Sequence, residues 1–431
     1  MAGLIERSKL LAKRALKADI IKVFSLTSIS TIVKMCTGLI SVKVVASIIG
    51  PAGVALVGQL NNFATMALSL ATGGINSGIT KYVAEYREDN NTIAKFLSTG
   101  LRITIISSII CAAILILFNN RISNLIMLSP NYGYVFIIFG VTIILYALNN
   151  MLISIVNGYK EFRKFVYINI SNSIVGLIVS VVLVIFWQLK GALIAAVTYQ
   201  SVVLFVSLWM LYNTKWFKWE IFKENYSYVI SKKYFRYTLM TFTTALCMPI
   251  AQMFLRGYIM SEISPVEAGW WEGMNRISNM YLTVFISSFT VYYLPRLSEI
   301  SDKTELRHEI FKAYRVIVPI LLCVFTIIYL LRFIIIKILF TPEFIPMSQL
   351  FIWQIIGDLF KICSWILAFL MIAKAMMSHY IATEIIFTFS YLGIGFIFIH
   401  LNSVVGLCQA YIINYILYCI VMAFIFRRII F

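Results

Sequence analysis

Three basic residues lie deep inside long apolar segments, where a charged side chain is costly. Lys34 is near the middle of the segment 21–48, and Arg276 and Lys361 are in two similar segments further along the chain. A membrane-spanning helix needs about 20 mostly apolar residues at about 1.5 Å each, so Lys34 is roughly 20 Å of helix from either end. Its side chain is too short to bring the ammonium group to water over that distance. We therefore expect it to face a polar cavity or another helix instead of lipid.

Lys34 shares one face of its predicted helix with hydroxyl side chains. At helical spacing, that face also carries Thr27, Ser30, Thr31, Thr37 and Ser41. The segment around Lys34 contains no Asp or Glu that could neutralise the charge. An anion that enters a cavity at mid-bilayer would be a natural partner for this lysine.

The other two basic residues have an acidic residue about one helical turn away. Glu272 precedes Arg276 by four residues, and Asp358 precedes Lys361 by three on a stripe that includes Gln354. One interpretation places both groups at a cavity. The alternative is that each pair is an internal ion pair that holds helices together and has no other role. The sequence leaves both interpretations open.

Uncharged polar residues form stripes in several of the apolar segments. Any single one is explained by hydrogen bonding between helices. Together they predict a hydrated interior that suits a ligand rich in hydroxyl groups. The predicted polar lining consists of Asn62, Asn76, Asn149, Asn150, Asn275 and Asn279.

Three further basic residues within the apolar segments have a simpler explanation. Lys43 and Arg332 lie near the predicted ends of their spans, and Arg102 is about two turns from an end. Long basic side chains near a helix end can extend to the interface. On the residues alone, we favour a structural role for these three.

The composition is that of an integral membrane protein. Of the 431 residues, 61% are hydrophobic and only 13% are charged, whereas soluble domains are about 25% charged. The net charge of +18 comes from basic residues at the ends of apolar segments and in alternate short loops, a pattern that predicts both termini in the cytoplasm. No motif indicates nucleic-acid binding. The three histidines and seven cysteines show no metal-ligand spacing, so we expect no cofactor.

The elements that must position these residues are about twelve transmembrane helices. We predict spans at 21–48, 54–82, 94–118, 132–157, 165–187, 191–212, 235–258, 268–294, 312–337, 348–373, 379–400 and 405–426. They divide the chain into an amphipathic segment (1–20), an N-lobe (21–212), a cytoplasmic linker (213–234) and a C-lobe (235–431).

The two predicted lobes are related by a shift of about 215 residues. Gly191 opens span six and Gly406 opens span twelve in similar contexts, Gly58 in span two matches Gly273 in span eight, and the turn NGYKEFRKF matches IAKAMMSHY. An even number of spans per repeat gives both lobes the same orientation. Parallel repeats of this kind are typical of transporters whose substrate site lies between the halves.

Several segments resemble the bacterial polysaccharide flippases of the multidrug/oligosaccharidyl-lipid/polysaccharide exporter superfamily, especially the O-antigen and enterobacterial-common-antigen lipid III flippases. They are STIVKMCTGLISVKVVASIIGPAGVALVGQ, GGINSGITKYVAEY, SFTVYYLPRLSEI, LFIWQIIGDLFKICSWILAFLMIAKA and GLCQAYIINYILY. The resemblance covers essentially the whole chain.

This resemblance implies an all-α polytopic membrane protein with two six-helix lobes around a central cavity. It implies alternating access that carries undecaprenyl-pyrophosphate-linked oligosaccharide from the cytoplasmic to the periplasmic leaflet of the bacterial inner membrane. A polysaccharide polymerase is an expected partner. In this interpretation Asp358 and Glu272 are candidates for binding a coupling H⁺ or Na⁺. The candidate pyrophosphate ligands are Lys34, Lys43, Arg276 and Lys361.

Two other functions compete with this one. A multidrug or cation antiporter of the same superfamily would need acidic residues to hold cations, but the first span offers lysine and no carboxylate. A membrane enzyme such as a polysaccharide polymerase would need a large extramembrane loop or a catalytic motif. The sequence contains neither a Walker loop nor an H-E-x-x-H or G-x-S-x-G motif.

Overall fold

A computed structural model describes residues 2–212, 214, 216–300 and 302–430, and side chains at 2–27, 236, 237, 240, 291, 428 and 430 are outside the description. The described residues form helices joined by short turns. The helices are α1 (Ala2–Ala71), α2 (Asn76–Tyr86), α3 (Asn90–Leu117), α4 (Asn119–Met127), α5 (Gly133–Gly158), α6 (Phe162–Leu211), α7 (Tyr228–Glu262), α8 (Pro265–Ser288), α9 (Leu294–Glu299), α10 (Lys303–Leu330), α11 (Arg332–Leu339), α12 (Leu350–Ala373), α13 (Met377–Ile425) and α14 (Arg427–Ile430). Short 3₁₀ turns lie at Pro130–Tyr132, Trp219–Phe222 and Pro342–Gln349, and a π turn at Phe289–Tyr293.

Three of the longest helices are each interrupted by one or two residues with non-helical backbone angles. The breaks are at Gly50 in α1 (φ 65°), at Gln188 in α6 (φ 49°) and at Ser403 in α13 (φ 52°). In α1 the next residue is Pro51, whose fixed φ suits the first turn of a helix. Each break falls between two predicted spans, so each of these helices contains two segments.

At the breaks in α6 and α13 the chain reverses direction, and each reversal needs a glycine on the second segment. A β-carbon at Gly191 would lie 1.8 Å from the carbonyl oxygen of Leu183, and one at Gly406 would lie 1.8 Å from that of Phe398. No side chain fits at such a distance, so the two segments can approach this closely only at glycine. The chain therefore turns back on itself at both places.

Turn residues at equivalent positions of the two repeats have similar backbone angles. Gln188 and Ser403 are 215 residues apart and have similar backbone angles, with ψ −126° and −137°. Lys160 and Ala375, also 215 residues apart, both have positive φ, at 58° and 53°. The predicted pseudo-symmetry of the two lobes is therefore present in the turn geometry.

Seven helices of the described part are long and apolar enough to cross a membrane. The three interrupted helices are among them and contain two segments each. Helices α7 and α8 have 35 and 24 residues and carry several charged side chains. This arrangement is consistent with the twelve predicted spans. We call α1–α6 the N-lobe and α7–α14 the C-lobe, although the predicted domain boundaries remain predictions.

The second segment of α1 joins the lobes by packing against α7 and α8. A β-carbon at Gly269 of α8 would lie 2.0 Å from the carbonyl oxygen of Pro51, so the two backbones are in direct contact there. Further along, Gln59 Nε2 donates to the carbonyl oxygen of Met253 at 3.0 Å. The lobes are thus closed against each other along this side of α1.

The segment between α6 and α7, which connects the lobes, is hydrogen-bonded to α3. Arg102 Nη2 donates to the carbonyl oxygen of Glu224 at 3.0 Å, and Ser98 donates to the carbonyl oxygens of Phe222 and Glu224. Arg332 donates to the carbonyl oxygen of Tyr329 at 2.8 Å. Both arginines thus bind backbone carbonyl oxygens, and their structural role stays a prediction.

Candidate functional site

A cleft of ≈ 380 Å³ lies between α1, α6 and α8. Its walls combine small, hydroxyl and amide side chains with two cations. It is lined by Lys34, Thr37, Gly38, Ser41, Val45, Val57, Asn61, Asn172, Ser173, Gly176, Leu177, Ser180, Ala192, Ala195, Ala196, Tyr199, Gln200 and Arg276.

Lys34 lies on the cleft wall with an exposed side chain. Thr37 and Ser41, three and seven residues later, line the same cleft, as expected for one helix face. No carboxylate of the described residues is within ion-pair distance of its ammonium group. The charge is therefore available to an anion in the cleft.

Arg276 brings a second cation to the cleft from the C-lobe. Its Nε donates to Glu272 Oε1 at 3.0 Å, one turn earlier on α8. This bond fixes the guanidinium plane and uses neither of the terminal nitrogens. A fixed guanidinium is suited to bind two oxygens of a phosphate group at once.

Glu272 is shared between Arg276 and Arg256. Arg256 Nη2 lies 2.6 Å from Glu272 Oε2, and Nη1 donates to Gln59 Oε1 of the N-lobe at 3.4 Å. The side chain of Arg256 is only 1% exposed, and its guanidinium is 5.1 Å from the ring centroid of Trp271. One carboxylate thus connects the cleft to the contact between the lobes.

Sequence reasoning missed Arg256. The predicted span 235–258 leaves Arg256 two residues from its end, whereas α7 continues to Glu262. The four additional residues place Arg256 a full turn inside the helix. An acidic residue in the neighbouring span, Glu272, was the signal that could have identified a buried partner.

Gly58 makes space for Glu272. A β-carbon at Gly58 would lie 2.4 Å from Cδ of Glu272 and within 2.7 Å of both carboxylate oxygens. The carboxylate therefore occupies the place of a side chain on α1. This packing fixes Glu272 between the two arginines.

Asp358 and Lys361 form a different cluster, inside the C-lobe. Asp358 is fully buried and accepts hydrogen bonds from Ser278 at 2.6 Å, from Tyr411 at 2.8 Å and from Tyr281. Lys361 Nζ donates to the same Tyr411 hydroxyl at 3.0 Å.

No direct ion pair joins Asp358 and Lys361 in the part of the chain that the structure describes. The rings of Trp365, Tyr411 and Tyr415 lie 5.2–5.4 Å from Lys361 Nζ. Neither charged residue is among those that line the cleft. The Tyr411 hydroxyl, which stands between them, takes the place of the predicted pairing.

Lys43, on α1, extends its ammonium group to the end of helix α11 of the C-lobe. Its Nζ donates to the carbonyl oxygen of Phe340 at 2.9 Å and to that of Lys337 at 3.3 Å. These carbonyls belong to the last turn of α11 and the residue after it, where a cation satisfies unpaired acceptors. Lys43 is not among the cleft-lining residues.

The six predicted asparagines lie outside the cleft lining described above. Asn62 donates to Gln252 Oε1 across the lobe contact at 3.1 Å, and Asn150 donates to Gln200 Oε1 at 3.1 Å. Instead of Asn62, its neighbour Asn61 reaches the cleft, one helical position away. Asn149 accepts a hydrogen bond from Ser207 at 2.8 Å, and Asn279 is exposed. Asn76 and Asn275 each have a buried atom that lacks a partner among the described residues.

The described residues contain no group of three or more His, Cys, Asp or Glu side chains that could hold a metal ion.

Comparison with known proteins places this geometry in context. Residues 20–301 match the model of a family described as "Polysaccharide biosynthesis protein". Proteins named "Lipid III flippase" from Escherichia coli (strain K12) and Shigella flexneri are each 27% identical to this chain over 396 residues, covering 91% of it and 94% of their own length.

Solved transporter structures share the fold. An inward-facing multidrug resistance MATE family transporter of the MOP superfamily has a TM-score of 0.79 at 15% identity, covering 93% of this chain and 98% of its own. The lipid II flippase MurJ, in an inward closed conformation, has a TM-score of 0.75 at 16% identity, covering 94% and 87%. The predicted all-helical fold with two lobes is confirmed.

Proposed function

The chain belongs to the polysaccharide biosynthesis protein family, and on that premise we propose that it is a flippase for undecaprenyl-pyrophosphate-linked oligosaccharide. It is a multi-pass membrane transporter and not an enzyme. The proposed direction is from the cytoplasmic to the periplasmic leaflet, in a bacterial inner membrane, with both termini in the cytoplasm.

The observation that carries this proposal is the pair of cations on one cleft. Lys34 from α1 and Arg276 from α8 line the same cleft, and of these two Arg276 alone has a carboxylate partner in the described part of the chain. The diphosphate of the substrate is the part that is hardest to move through lipid, because its charge loses water. Two fixed cations would offset that loss, while the apolar lipid chain stays in the bilayer.

Alternating access is supported by the lobe contacts near Gly50. Pro51 touches Gly269, and Lys43 is bonded to the end of α11. In the proposed topology these contacts lie at the periplasmic side, so a substrate would enter the cleft from the cytoplasm. The higher TM-score with the inward-facing transporter, 0.79 against 0.69 for an outward-facing one, supports the same state.

The membrane potential would assist transport of an anion. With the inside negative, outward movement is favoured by about 2.3 kcal/mol per net charge per 100 mV. Cations that moved with the substrate would reduce this contribution.

For coupling to H⁺ or Na⁺, we favour Asp358 over Glu272. Glu272 is held by two arginines, whereas the donors to Asp358 among the described residues are neutral: Ser278, Gln354 and two tyrosines. A carboxylate without a direct cationic partner is the better candidate to bind a cation in exchange. The expected polymerase partner belongs to this proposal as well.

The test is transport by the purified protein in proteoliposomes. We expect it to move undecaprenyl-pyrophosphate-linked oligosaccharide, measured by the access of an external enzyme to the sugar, and to leave cationic drugs where they are. Transport of cationic drugs without movement of the lipid-linked sugar would contradict the proposal and favour a multidrug antiporter.

A further inference from the structure

We propose that the α6 wall of the cleft is a binding site for the sugar that adjoins the diphosphate. This site, called here the sugar wall, consists of Asn172, Ser173, Gly176, Tyr199 and Gln200. The proposal rests on the proposed function and goes beyond it, because it assigns recognition of the sugar to residues that carry no charge.

The sugar wall is chemically distinct from the rest of the cleft. Among the described residues, the charged side chains in the lining are Lys34 and Arg276, on α1 and α8. The α6 residues contribute amide, hydroxyl and phenol groups. A wall of this kind discriminates by hydrogen bonds to neutral groups, which are what a sugar offers and a diphosphate lacks.

Asn172 supplies an unfilled acceptor. Its Oδ1 is buried and has no hydrogen-bond partner in the described part of the chain. A buried acceptor without a partner is unfavourable, and such groups are uncommon unless a ligand or water completes them. A turn of the Asn172 amide about its Cβ–Cγ bond would bring this oxygen to the cleft, where a hydroxyl or amide N–H of a sugar is a donor of the required type.

Gln200 and Tyr199 are held in position by residues behind the wall. Gln200 Nε2 donates to the Tyr199 hydroxyl at 2.9 Å, and Asn150 Nδ2 donates to Gln200 Oε1 at 3.1 Å. Asn150 also donates to the carbonyl oxygen of Tyr146 at 3.2 Å. The chain of bonds orients both lining side chains before a ligand arrives, which lowers the entropy cost of binding.

The two segments of α6 meet at Gly176. A β-carbon there would lie 3.0 Å from Cδ2 and 3.3 Å from Cε2 of Tyr199, so the ring rests against the bare backbone of the first segment. This packing gives the ring a fixed position on the cleft wall. A fixed aromatic ring is an apolar surface against which the C–H face of a sugar can pack.

The size of the cleft limits what it can hold. Its ≈ 380 Å³ is at the lower end of small-molecule sites, which span about 300–1,000 Å³. That space suits the diphosphate and the adjoining sugar, with the remaining sugars outside it. We therefore assign to the sugar wall the first sugar alone.

The experiment compares two lipids with the purified full-length protein. One is undecaprenyl pyrophosphate, and the other is the same lipid carrying its first sugar. Binding is measured by protection against thermal unfolding, and transport of the sugar-bearing lipid is measured in proteoliposomes. We expect Asn172→Ala to weaken binding of the sugar-bearing lipid about fivefold to tenfold and to leave binding of the bare lipid unchanged.

Two further variants make the result specific. Asn169 is one turn from Asn172, donates to the carbonyl oxygen of Phe165 and is absent from the lining, so Asn169→Ala should change neither lipid's binding. Asn172→Asp keeps the shape but adds a negative charge beside the diphosphate, so it should weaken binding of both lipids.

Three results would overturn the inference. They are an equal loss of both lipids in Asn172→Ala, the same selective loss in Asn169→Ala, and unchanged binding in Asn172→Asp. Failure of the proposed function looks different, because the unaltered protein would then neither bind nor transport either lipid.

Discussion

The charged side chains at the cleft and those inside the C-lobe differ in what neutralises them. At the cleft, Lys34 has no carboxylate partner among the described residues, and Arg276 has one that it shares with Arg256. In the C-lobe, Lys361 is enclosed by Tyr411 and aromatic rings, and Asp358 accepts from fixed hydroxyl donors.

The difference separates charges that serve a mobile ligand from charges that the protein itself satisfies. A cation that faces a cleft without a partner contributes little to folding and is free to bind an anion. A carboxylate that is saturated by buried donors contributes to the stability of its lobe, and removing it leaves those donors without an acceptor. Removal of Lys34 should therefore affect transport without affecting stability, whereas removal of the Asp358 side chain should lower stability whether or not this residue also couples transport to an ion.

The largest effect is expected for Asp358→Ala. Removal of this carboxylate leaves the hydroxyls of Ser278, Tyr281 and Tyr411 without their acceptor. We expect a loss of about 3–5 kcal/mol in unfolding free energy, measured by denaturation in detergent micelles.

Asp358→Asn separates stability from ion coupling. The amide oxygen still accepts hydrogen bonds, so the loss should be smaller, and transport should no longer respond to an imposed H⁺ or Na⁺ gradient. Transport by Asp358→Asn that follows the gradient as before would show that Asp358 is not the coupling site.

Lys34→Ala should have the next largest effect, and on transport alone. We expect about a 100-fold loss of transport, since a charge-assisted hydrogen bond to the diphosphate contributes about 1.5–3 kcal/mol. Lys34→Arg should retain part of the activity, and both variants should unfold like the parent protein. Full activity of both variants at equal expression would remove Lys34 from the site.

The fold was predictable from sequence because spans and repeats depend on many residues at once. The breaks at Gly50, Gln188 and Ser403 fall within the predicted gaps between spans, since a long apolar run must end at both sides of the bilayer. The offset between the lobes was visible in a few glycines, because their close contacts admit no other residue.

The site was less predictable because it depends on the rotation of each helix. Asn61 lines the cleft and Asn62 does not, a difference of one position, or about 100° around the helix. Asn172 and Gln200 were not distinguished from polar residues that join helices. Only the packing of α6 against α1 decides which of them face the cleft.

Gly58→Ala should have an intermediate effect on both stability and lipid binding, because Glu272 contacts the cleft and the other lobe. The added methyl group would displace Glu272, which lies where the new carbon must go. We expect a loss of about 1–3 kcal/mol in unfolding free energy, together with weaker lipid binding because Arg276 loses its fixed partner. The control is Gly393→Ala, since a β-carbon at Gly393 has nothing within 4 Å. An unchanged affinity in Gly58→Ala would show that Glu272 does not position Arg276.

The smallest effect is expected for Lys43→Met, which distinguishes two cations on the same helix. Lys43 and Lys34 are nine residues apart on α1, yet Lys43 is bonded to carbonyls at the end of α11 and Lys34 lines the cleft. Methionine keeps most of the apolar side chain and removes the charge, so the carbonyl oxygens of Lys337 and Phe340 lose a donor. This should cost about 0.3–1 kcal/mol in unfolding free energy. Transport should stay near that of the parent protein, because no lipid-binding group is removed. A loss of transport as large as that of Lys34→Ala would place Lys43 in the path of the diphosphate in another state of the lobes, and the separation between ligand-binding and structural cations along α1 would then fail.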